Sequence, residues 1–281
     1  MVLERAFMAE HYAAATPYEI TDGEYSRFQA MLHGITGISL GESKKSLVVS
    51  RLARRLSTWQ LQSFTQYLHL LEDGAHRDEL QTAVDLLTTN ETYFFREENH
   101  FRFLQQQLAA YQGSGVYRVW SAACSNGQEA YSIAMVLEDS LRGKPWEIMG
   151  SDISTRVIDV AQRGQYPLAQ ADKIPREYLG RFCLKGVGGQ DGTFLIDSEL
   201  RRRTRFFHGN LLQDLQGSGT FDIIFLRNVL IYFDIETKRK VIRRLLGYLK
   251  RGGHLLIGHS ESLNGVTEEL RMLSPSIYLK S

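Results

Sequence analysis

Cysteine is scarce in this chain of 281 residues. Only Cys124 and Cys183 occur, which is too few for a disulfide framework and is typical of a reducing compartment. The sequence also lacks a basic segment before an apolar core at its start, and it lacks any run of roughly 18 apolar residues. These absences argue against a secretory signal and a membrane span, so we expect a cytoplasmic protein without direct membrane insertion.

Patterns for metal and nucleic acid are missing as well. The eight histidines show neither HExxH nor paired-cysteine spacing, so we expect no metal site. Lys and Arg total 33 against 32 Asp and Glu, a net charge of +1, which provides no general attraction to nucleic acid. The basic run RRRTR at 201–205 is better explained as a solvated strand edge than as an RNA contact.

The first 90 residues contain patterns typical of helices and no pattern that clearly predicts a strand. Helical stretches are indicated at residues 22–32, 44–59, 64–71 and 76–87. Thr21 or Asp22 can cap the first of these and Ser63 can cap the third. We predict a small all-α N-terminal domain over residues 1–90.

From Val116 onward, short apolar runs alternate with helical stretches. The runs are VYRVWSA, WEIMGSD, RFFHGN, FDIIFLRN and GHLLIGHS. Runs bounded by turns and separated by helices predict parallel strands covered on both faces, hence an α/β, doubly wound domain, here residues 91–281. The glycine-rich stretch at 179–207 breaks this alternation, and a small antiparallel β insertion fits it best.

The first run leads through a turn of small residues into a helix, as VYRVWSAACSNGQEAYSIAM at 116–135. In a doubly wound sheet, ligands bind at the carboxyl ends of the strands, near the point where the strand order reverses. Gly127 can adopt backbone angles closed to other residues, and the small side chains let a ligand approach the backbone. The turn lacks the second and third glycines of G-x-G-x-x-G, which favours a smaller nucleoside ligand over a dinucleotide.

Asp152 stands at the end of the next run, WEIMGSD. A carboxylate at that strand tip can accept hydrogen bonds from both hydroxyls of a ribose. The order strand, turn, helix, strand, acid serves both S-adenosylmethionine and NAD. An alternative is that Asp152 only caps the helix that opens at Ile153 and Ser154, and the two roles can coexist.

The linker between the two parts of the chain is also rich in polar residues. In NETYFFREENHFRFL, residues 90–104, the polar Asn90, Thr92 and Arg96 are interleaved with aromatic residues. Such a segment can anchor its aromatics and turn the polar set toward the cleft. The alternative is an ordinary connecting helix with a solvated Arg96.

A third segment delivers polar residues to the same edge. FDIIFLRNVLIYFD, residues 221–234, contains an apolar run that suits a central strand. The strand would place Arg227, Asn228 and Val229 at the edge that holds Asp152.

In combination these motifs resemble those of the bacterial chemotaxis receptor glutamate methyltransferases (CheR). The motifs are NETYFFRE, VWSAACSNGQEAYSIAM, SDI, NLL at 210–212, RNVLIYFD at 227–234 and GHSES at 258–262. The resemblance covers nearly the whole chain, and the order and spacing of the motifs make it specific. It implies a helical N-terminal domain, then a Rossmann-like methyltransferase domain with an inserted β-subdomain.

The resemblance also implies S-adenosylmethionine as cofactor and S-adenosylhomocysteine as product. The cofactor contacts it implies are Asn90, Thr92, Arg96, Glu129, Asp152, Asn210, Leu211, Asn228 and Val229. Where relatives commonly read S-T-G-E-E-P, this chain has SNGQEA at 125–130, which keeps the second acid, Glu129, and replaces the first by Gln128. We expect binding to survive because Gln128 can still form hydrogen bonds.

The implied reaction transfers a methyl group to a receptor glutamate and gives a γ-methyl ester. A glutamate carboxylate, with a reference pKa of about 4.3, is already ionised at pH 7, so no general base is needed. In-line placement of the reacting atoms is the main demand. Arg96 is our first choice for orienting the carboxylate, although its cofactor contact is an alternative main task. Tyr232 either shapes the methyl pocket or is a half-buried core aromatic.

Two surfaces are candidates for docking methyl-accepting chemotaxis receptors. At helical spacing, Lys44, Arg51, Arg54 and Arg55 form a basic stripe, and the resemblance implies contact with the acidic methylation region; a solvated face is the alternative. The insertion at 179–207 resembles that of relatives that hold the receptor's C-terminal pentapeptide on a strand edge. A plain surface hairpin is the rival interpretation.

Other functions fit the sequence less well. A nicotinamide dehydrogenase would share the fold, but the turn has a single glycine. A non-catalytic adapter that senses S-adenosylmethionine would bind the cofactor without turnover. A serine hydrolase needs the G-x-S-x-G elbow, and Ser260 in GHSES lies in a strand-end loop on the simpler interpretation.

Overall fold

The computed structural model describes residues 18–215 and 217–281. The chain forms two compact units. One takes the chain up to Ile35 together with Ser39–Leu87, and the other takes Thr36–Ile38 and Thr88–Ser281. The first 17 residues of the predicted N-terminal domain lie outside the described residues.

The first unit is helical, as predicted. From residue 18 onward its α-helices are α1 (Asp22–Thr36), α2 (Lys45–Thr58), α3 (Phe64–Glu72) and α4 (Arg77–Leu87). Thr21 rather than Asp22 caps α1, because its Oγ1 accepts from the backbone N–H of Glu24 at 3.2 Å while the Glu24 carboxylate accepts from the N–H of Thr21 at 2.8 Å. Ser63 caps α3 by accepting from the N–H of Gln66.

Two of the four arginines and lysines assigned to a basic docking stripe are turned into this unit. Arg51 Nη1 donates to the carbonyls of Leu86 and Leu87, each at 3.1 Å. Arg55 forms a two-pronged ion pair with Glu79. Lys44 and Arg54 are exposed. Helical spacing placed all four near one another, but part of that face packs against α4.

Glu79 is the buried acid of the helical unit. Only 4% of its side chain is exposed, against 26% for Arg55. It also accepts a hydrogen bond from the Tyr67 hydroxyl at 2.6 Å. Burial alone would raise the pKa of Glu79, but the hydrogen bonds from Arg55 and Tyr67 outweigh it and hold the pKa below its ordinary value.

The second unit is built on a seven-stranded mixed sheet with the order β6-β2-β1-β7-β8-β10-β9. Its strands are β1 (Tyr117–Ala122), β2 (Trp146–Asp152), β6 (Thr204–His208), β7 (Phe221–Leu226), β8 (Leu249–Ile257), β9 (Leu270–Ser274) and β10 (Ile277–Lys280). The first five strands in this order are parallel, which confirms the doubly wound prediction, and β10 and β9 are antiparallel.

Helices cover both faces of this sheet. They are α5 (Glu98–Ala110), α6 (Gln128–Leu141), α7 (Thr155–Arg163), α8 (Arg176–Phe182), α9 (Ser198–Arg203) and α10 (Ile235–Tyr248). Successive strand residues alternate between two apolar clusters: Val119 packs on the face of α5 and α6, and Trp120 packs on the face of α10. Among residues 18–215 and 217–281, every helix is too short or too polar to cross a lipid bilayer.

A small antiparallel sheet interrupts the second unit. Its order is β3-β5-β4, with β3 at Gln165–Pro167, β4 at Cys183–Lys185 and β5 at Thr193–Ile196. The first of these strands lies before the predicted limits of 179–207, and the end of that range belongs to α9 and β6. Three of the arginines of RRRTR therefore end a helix, and the strand begins at Thr204.

The Arg55–Glu79 pair generates a stability prediction. We expect Arg55→Ala to lower the free energy of unfolding by about 3 kcal/mol, because it leaves a buried carboxylate without its cation. The neighbouring Arg54→Ala, on the exposed side of α2, should change it by no more than about 0.5 kcal/mol. Urea denaturation of both variants tests this, and equal losses would contradict the buried-pair interpretation.

Candidate functional site

The candidate site lies where the strand order reverses. After β1 the chain continues to β2 and β6 on one side of the sheet, and it later returns to place β7 on the other side of β1. The loops at the carboxyl ends of β1 and β7 therefore diverge and leave a crevice, the usual ligand position in doubly wound folds. The turn at 123–127, the residues after β7 and the segment at 88–97 all reach this edge.

The turn after β1 is held in place by hydrogen bonds from its own backbone. The N–H of Ser125 donates to Asp152 Oδ2 at 2.8 Å, and the N–H of Cys124 donates to the carbonyl of Ser151 at 2.9 Å. The Ser125 hydroxyl donates to the carbonyl of Asn90 at 2.8 Å. These bonds tie the turn to the tip of β2 and to the 88–97 segment.

Gly127 is required at the end of this turn for two reasons. Its φ is +87°, in the left-handed region that other residues avoid. A Cβ there would also lie 2.7 Å from the Cβ of Ala161 and 3.0 Å from the ring of Phe206. The turn can therefore be this tight only with glycine at its last position.

Asp152 is not the N-cap of α7, which is Ser154, but its side chain bonds the backbone just before that helix. Its Oδ1 accepts from the N–H of Ser154 at 3.0 Å, at the start of α7, and its Oδ2 accepts from Ser125. The side chain is nearly buried. Ribose binding by Asp152 stays a prediction.

A buried ion-pair cluster organises the rest of the edge. The Arg227 side chain, 1% exposed, lies 2.9 Å from a carboxylate oxygen of Glu129 and 2.9 Å from one of Glu97. Arg227 also donates to the backbone carbonyl of Arg96. The second oxygen of Glu129 accepts from the Ser121 hydroxyl at 2.7 Å. We call Arg227, Glu97 and Glu129 the arginine clamp.

The clamp sets the charge state of Glu97. Burial alone would raise the pKa of this carboxyl, but the charge and hydrogen bonds of Arg227, with a further bond from Asn228 Nδ2 at 3.2 Å, hold it below its ordinary value. Close by, His100 is fully buried, and burial together with the Arg227 charge lowers its pKa to about 3. The Glu97 carboxylate is thus ionised at neutral pH and the His100 imidazole is neutral.

The carboxylate of Glu261 fixes the loop after β7. Glu261 Oε2 accepts from the N–H of Asn228 at 2.9 Å and from the N–H of Gly258 at 2.6 Å. Its other oxygen accepts from the N–H of Ile231 at 3.3 Å. Burial raises the pKa of Glu261 in spite of these bonds. The result is a fixed backbone path for Asn228 and Val229.

Backbone strain concentrates at this edge. Among the described residues, eight other than glycine have a positive φ, and five of them lie in the site segments. These five are Phe95, Glu97, Ala123, Ser125 and Asn228. Such conformations persist only where surrounding contacts enforce them, and they are typical of functional sites.

Arg96 and Tyr232 lie in these segments without entering the clamp through their side chains. Arg96 Nη1 donates to the carbonyl of Glu91 at 3.1 Å, and its guanidinium lies 5.6 Å from the ring centre of Tyr93. Tyr232 ends a short 3-10 helix, and its half-buried ring packs against the apolar cluster under α10, as do Val229 and Leu211. Their roles in chemistry stay predictions.

The loop after β6 adds one more part of the predicted set. The N–H of Gly209 donates to the Asp152 carbonyl at 2.9 Å, which places Asn210 next to the tip of β2. The Asn210 side chain accepts from the N–H of Leu212 at 2.9 Å. Asn210 also borders a cavity of about 370 Å³ that extends to Met149 and Leu215.

The polar atoms around the turn suit an adenosyl cofactor. Four buried side-chain atoms have no hydrogen-bond partner among the described residues, and three of them belong to the segments that follow β1 and β2: Asn126 Oδ1, Gln128 Oε1 and Ser154 Oγ. Two are acceptors and the third is a hydroxyl, so they match a ligand that brings donors such as an ammonium group and ribose hydroxyls. Gln128 Nε2, meanwhile, donates to Gln170 at 2.7 Å.

Sequence reasoning missed several residues of this edge. Glu97 closes the motif NETYFFRE and Arg227 opens RNVLIYFD, but neither was assigned a role. Ser121 and Glu261 were missed because nothing local marks a buried polar partner. A signal for the clamp does exist in the sequence, because Glu97, Glu129 and Arg227 all lie inside the motifs that carry the family resemblance.

Known proteins match the chain over almost its full length. The model of a family described as "CheR methyltransferase, SAM binding domain" matches residues 90–279, and "CheR methyltransferase, all-alpha domain" matches residues 23–88. A chemotaxis protein methyltransferase of Escherichia coli K12 is 38% identical over 265 residues, 93% of this chain and 92% of that one. Chemotaxis protein methyltransferase 2 of Pseudomonas aeruginosa is 38% identical over 268 residues, 93% of this chain and 94% of its own.

Proposed function

The chain belongs to the CheR methyltransferase family, and we propose that it methylates chemotaxis receptors on glutamate side chains. The methyl donor is S-adenosylmethionine, and the products are a glutamate γ-methyl ester and S-adenosylhomocysteine. The observation that carries this proposal is the match of both family domains, residues 23–88 and 90–279, to a chain whose strand order reverses at β1. A cytoplasmic location is part of the proposal.

The cofactor residues proposed are those that the resemblance implies. They are Asn90, Thr92, Arg96, Glu129, Asp152, Asn210, Leu211, Asn228 and Val229. Support comes from the bonds that join Asn90, Asp152 and the turn, and from the clamp that joins Glu129 to the loop after β7. When bound, the cofactor supplies an electrophilic methyl group on a sulfonium.

The protein's task in this reaction is positioning. The receptor glutamate is ionised at neutral pH, so no side chain has to remove a proton. Arg96 is proposed to orient that carboxylate, because a guanidinium offers paired donors. Support comes from its restraint: Arg227 bonds the Arg96 backbone carbonyl, and the Arg96 side chain donates to the Glu91 carbonyl and lies near the Tyr93 ring. Tyr232 is proposed to shape the methyl pocket.

Turnover of an Arg96 variant tests the catalytic part. We expect Arg96→Ala to lower methyl transfer at saturating cofactor by about a hundredfold, the scale of a misplaced reacting group. Arg96→Lys keeps the positive charge but loses the paired donors of the guanidinium, so it should recover only part of the methyl-transfer rate. The measurement is transfer of labelled methyl to a receptor fragment, with mass spectrometry of the modified residue.

The control is Arg102→Ala, an exposed arginine of α5 paired with Glu98, which should behave as wild type. Calorimetry with S-adenosylhomocysteine on the same variants separates cofactor binding from transfer. Near-normal turnover of Arg96→Ala would remove Arg96 from the catalytic role. A wild-type chain that modifies no receptor glutamate would instead overturn the proposed function.

Receptor docking is proposed for the exposed part of the basic stripe, Lys44 and Arg54. Lys44 immediately precedes α2 and Arg54 lies on it, and an acidic receptor surface would complement their positive charge.

We expect Lys44→Glu with Arg54→Glu to raise the KM for the receptor roughly tenfold, with less effect at high salt. Arg77→Glu, an exposed reversal on α4, is the control. Unchanged KM in the double variant would show that the stripe is inert. Variants of Arg51 and Arg55 are unsuitable, because those side chains support the fold.

A second contact is proposed at the small antiparallel sheet. β4 is an edge strand of that sheet, and Leu184 on it is 55% exposed. An edge strand can accept an extended peptide. We expect a receptor C-terminal pentapeptide to bind in calorimetry, a scrambled peptide not to bind, and Leu184→Glu to weaken binding while Leu168→Glu does not. Equal heats for the two peptides would exclude sequence-selective capture.

A further inference from the structure

One residue of the clamp and two histidines converge on a common point. They are Glu97, at the start of α5, His100, in the first turn of α5, and His259, in the loop after β8. One ligand atom from each lies within 4.8 Å of the others. His100 Nδ1 is 3.5 Å from Glu97 Oε2, and His259 Nε2 is 3.9 Å from the same oxygen.

Hydrogen bonding fixes which nitrogen of His100 carries the proton. The Ser276 hydroxyl donates to the carbonyl of Pro275 at 2.5 Å, so its oxygen accepts from His100 Nε2, 2.7 Å away. In the neutral ring Nδ1 is therefore a bare lone pair. It is buried, and among the described residues it has no hydrogen-bond partner.

This lone pair faces a carboxylate that is itself an acceptor. Two acceptors 3.5 Å apart with no proton between them repel, and the arrangement becomes favourable when a cation lies between them. His259 Nε2 is a third atom that can bind a metal ion through a lone pair. We infer that Glu97, His100 and His259 form a binding site for a zinc ion.

The geometry suits zinc. Imidazole nitrogens and a carboxylate oxygen are common zinc ligands at about 2.0–2.2 Å, so ligand atoms around a tetrahedral ion lie about 3.4 Å apart. The His100 and His259 nitrogens lie 3.5 and 3.9 Å from Glu97 Oε2, and the three ligand atoms lie within 4.8 Å of one another, so the side chains draw together to hold the ion. The Ser276 bond orients the His100 ring in the way that outer hydrogen bonds orient metal-bound histidines. His259 is 45% exposed, which provides an entry path and leaves the fourth position open to solvent.

The charge balance permits the ion. Arg227 lies beside Glu97, but it is shared with Glu129, so the clamp holds one cation and two carboxylates and is negative by one charge. Arg227 Nε and Nη2 both lie on Glu97 Oε2, at 3.3 and 2.9 Å, so an ion bound there shares this oxygen with the guanidinium. The sequence contains no HExxH pattern, and Glu97 is the left-handed N-cap of α5, so the turn before the helix brings Glu97 and His100 together.

Zinc binding to the untagged full-length chain tests this site. After removal of metal with a chelator, titration with zinc chloride in a calorimeter should show one equivalent bound, and cobalt(II) should give the visible absorption of a four-coordinate site. We expect His259→Ala to weaken zinc binding by more than about tenfold, since losing a ligand costs at least as much as losing an outer partner. His259 is chosen because a His100 variant would disturb the core.

The matched control is His69→Ala, an exposed histidine of α3 outside the cluster, which should bind zinc as wild type does. Equal zinc affinity for the two variants, or no uptake by the wild-type chain, would overturn the inference. The measurement uses neither methyl donor nor receptor, so its outcome is independent of the proposed function.

Discussion

The Arg227 guanidinium is the contact on which the site depends. It joins three parts of the chain that are far apart in sequence: the Arg96–Glu97 segment, the first turn of α6 at Glu129, and the end of β7. A cation buried this deeply is stable only when carboxylates and carbonyls surround it, and removal of one partner from such a pair costs about 3–5 kcal/mol. The planar fork of arginine offers five donors in a fixed arrangement, whereas the ammonium of lysine is a compact charge with three rotatable donors.

That cluster explains why strained backbone is tolerated nearby. Phe95, Glu97 and Asn228 have positive φ, and each such residue costs about 1–2 kcal/mol. Glu97 and Asn228 are also bonded to one another through their side chains, and Glu261 holds the Asn228 backbone from the other side. The ion pair and these hydrogen bonds offset the strain, so the polar groups of the edge are held in place before any ligand binds.

Local sequence patterns predict the parallel strands and the helix starts of this molecule. Apolar runs between turns predicted the five parallel strands, because strands buried on both faces need continuous apolar residues. Capping chemistry predicted the helix starts at Thr21 and Ser63. The antiparallel pair β9 and β10 escaped notice, because β9 is largely exposed at the sheet edge and shows no apolar run. Likewise the spacing of Arg51 and Arg55 predicted a shared face, while only the packing of α4 decided that they point inward.

A carboxylate that accepts a methyl group needs no proton removed, and this changes what a site must provide. Acid–base catalysis would call for a group with a pKa shifted toward neutrality in the crevice. Here the shifted carboxyls, Glu97 and Glu261, are instead occupied with Arg227, Asn228 and backbone N–H groups, so their bonds serve geometry. An in-line transfer benefits from a rigid sheet edge, because misplacement of the reacting atoms by about 1 Å lowers the rate by roughly a hundredfold. The same reasoning explains why the strained residues, the buried ion pair and the glycine of the turn all occur at one end of the sheet.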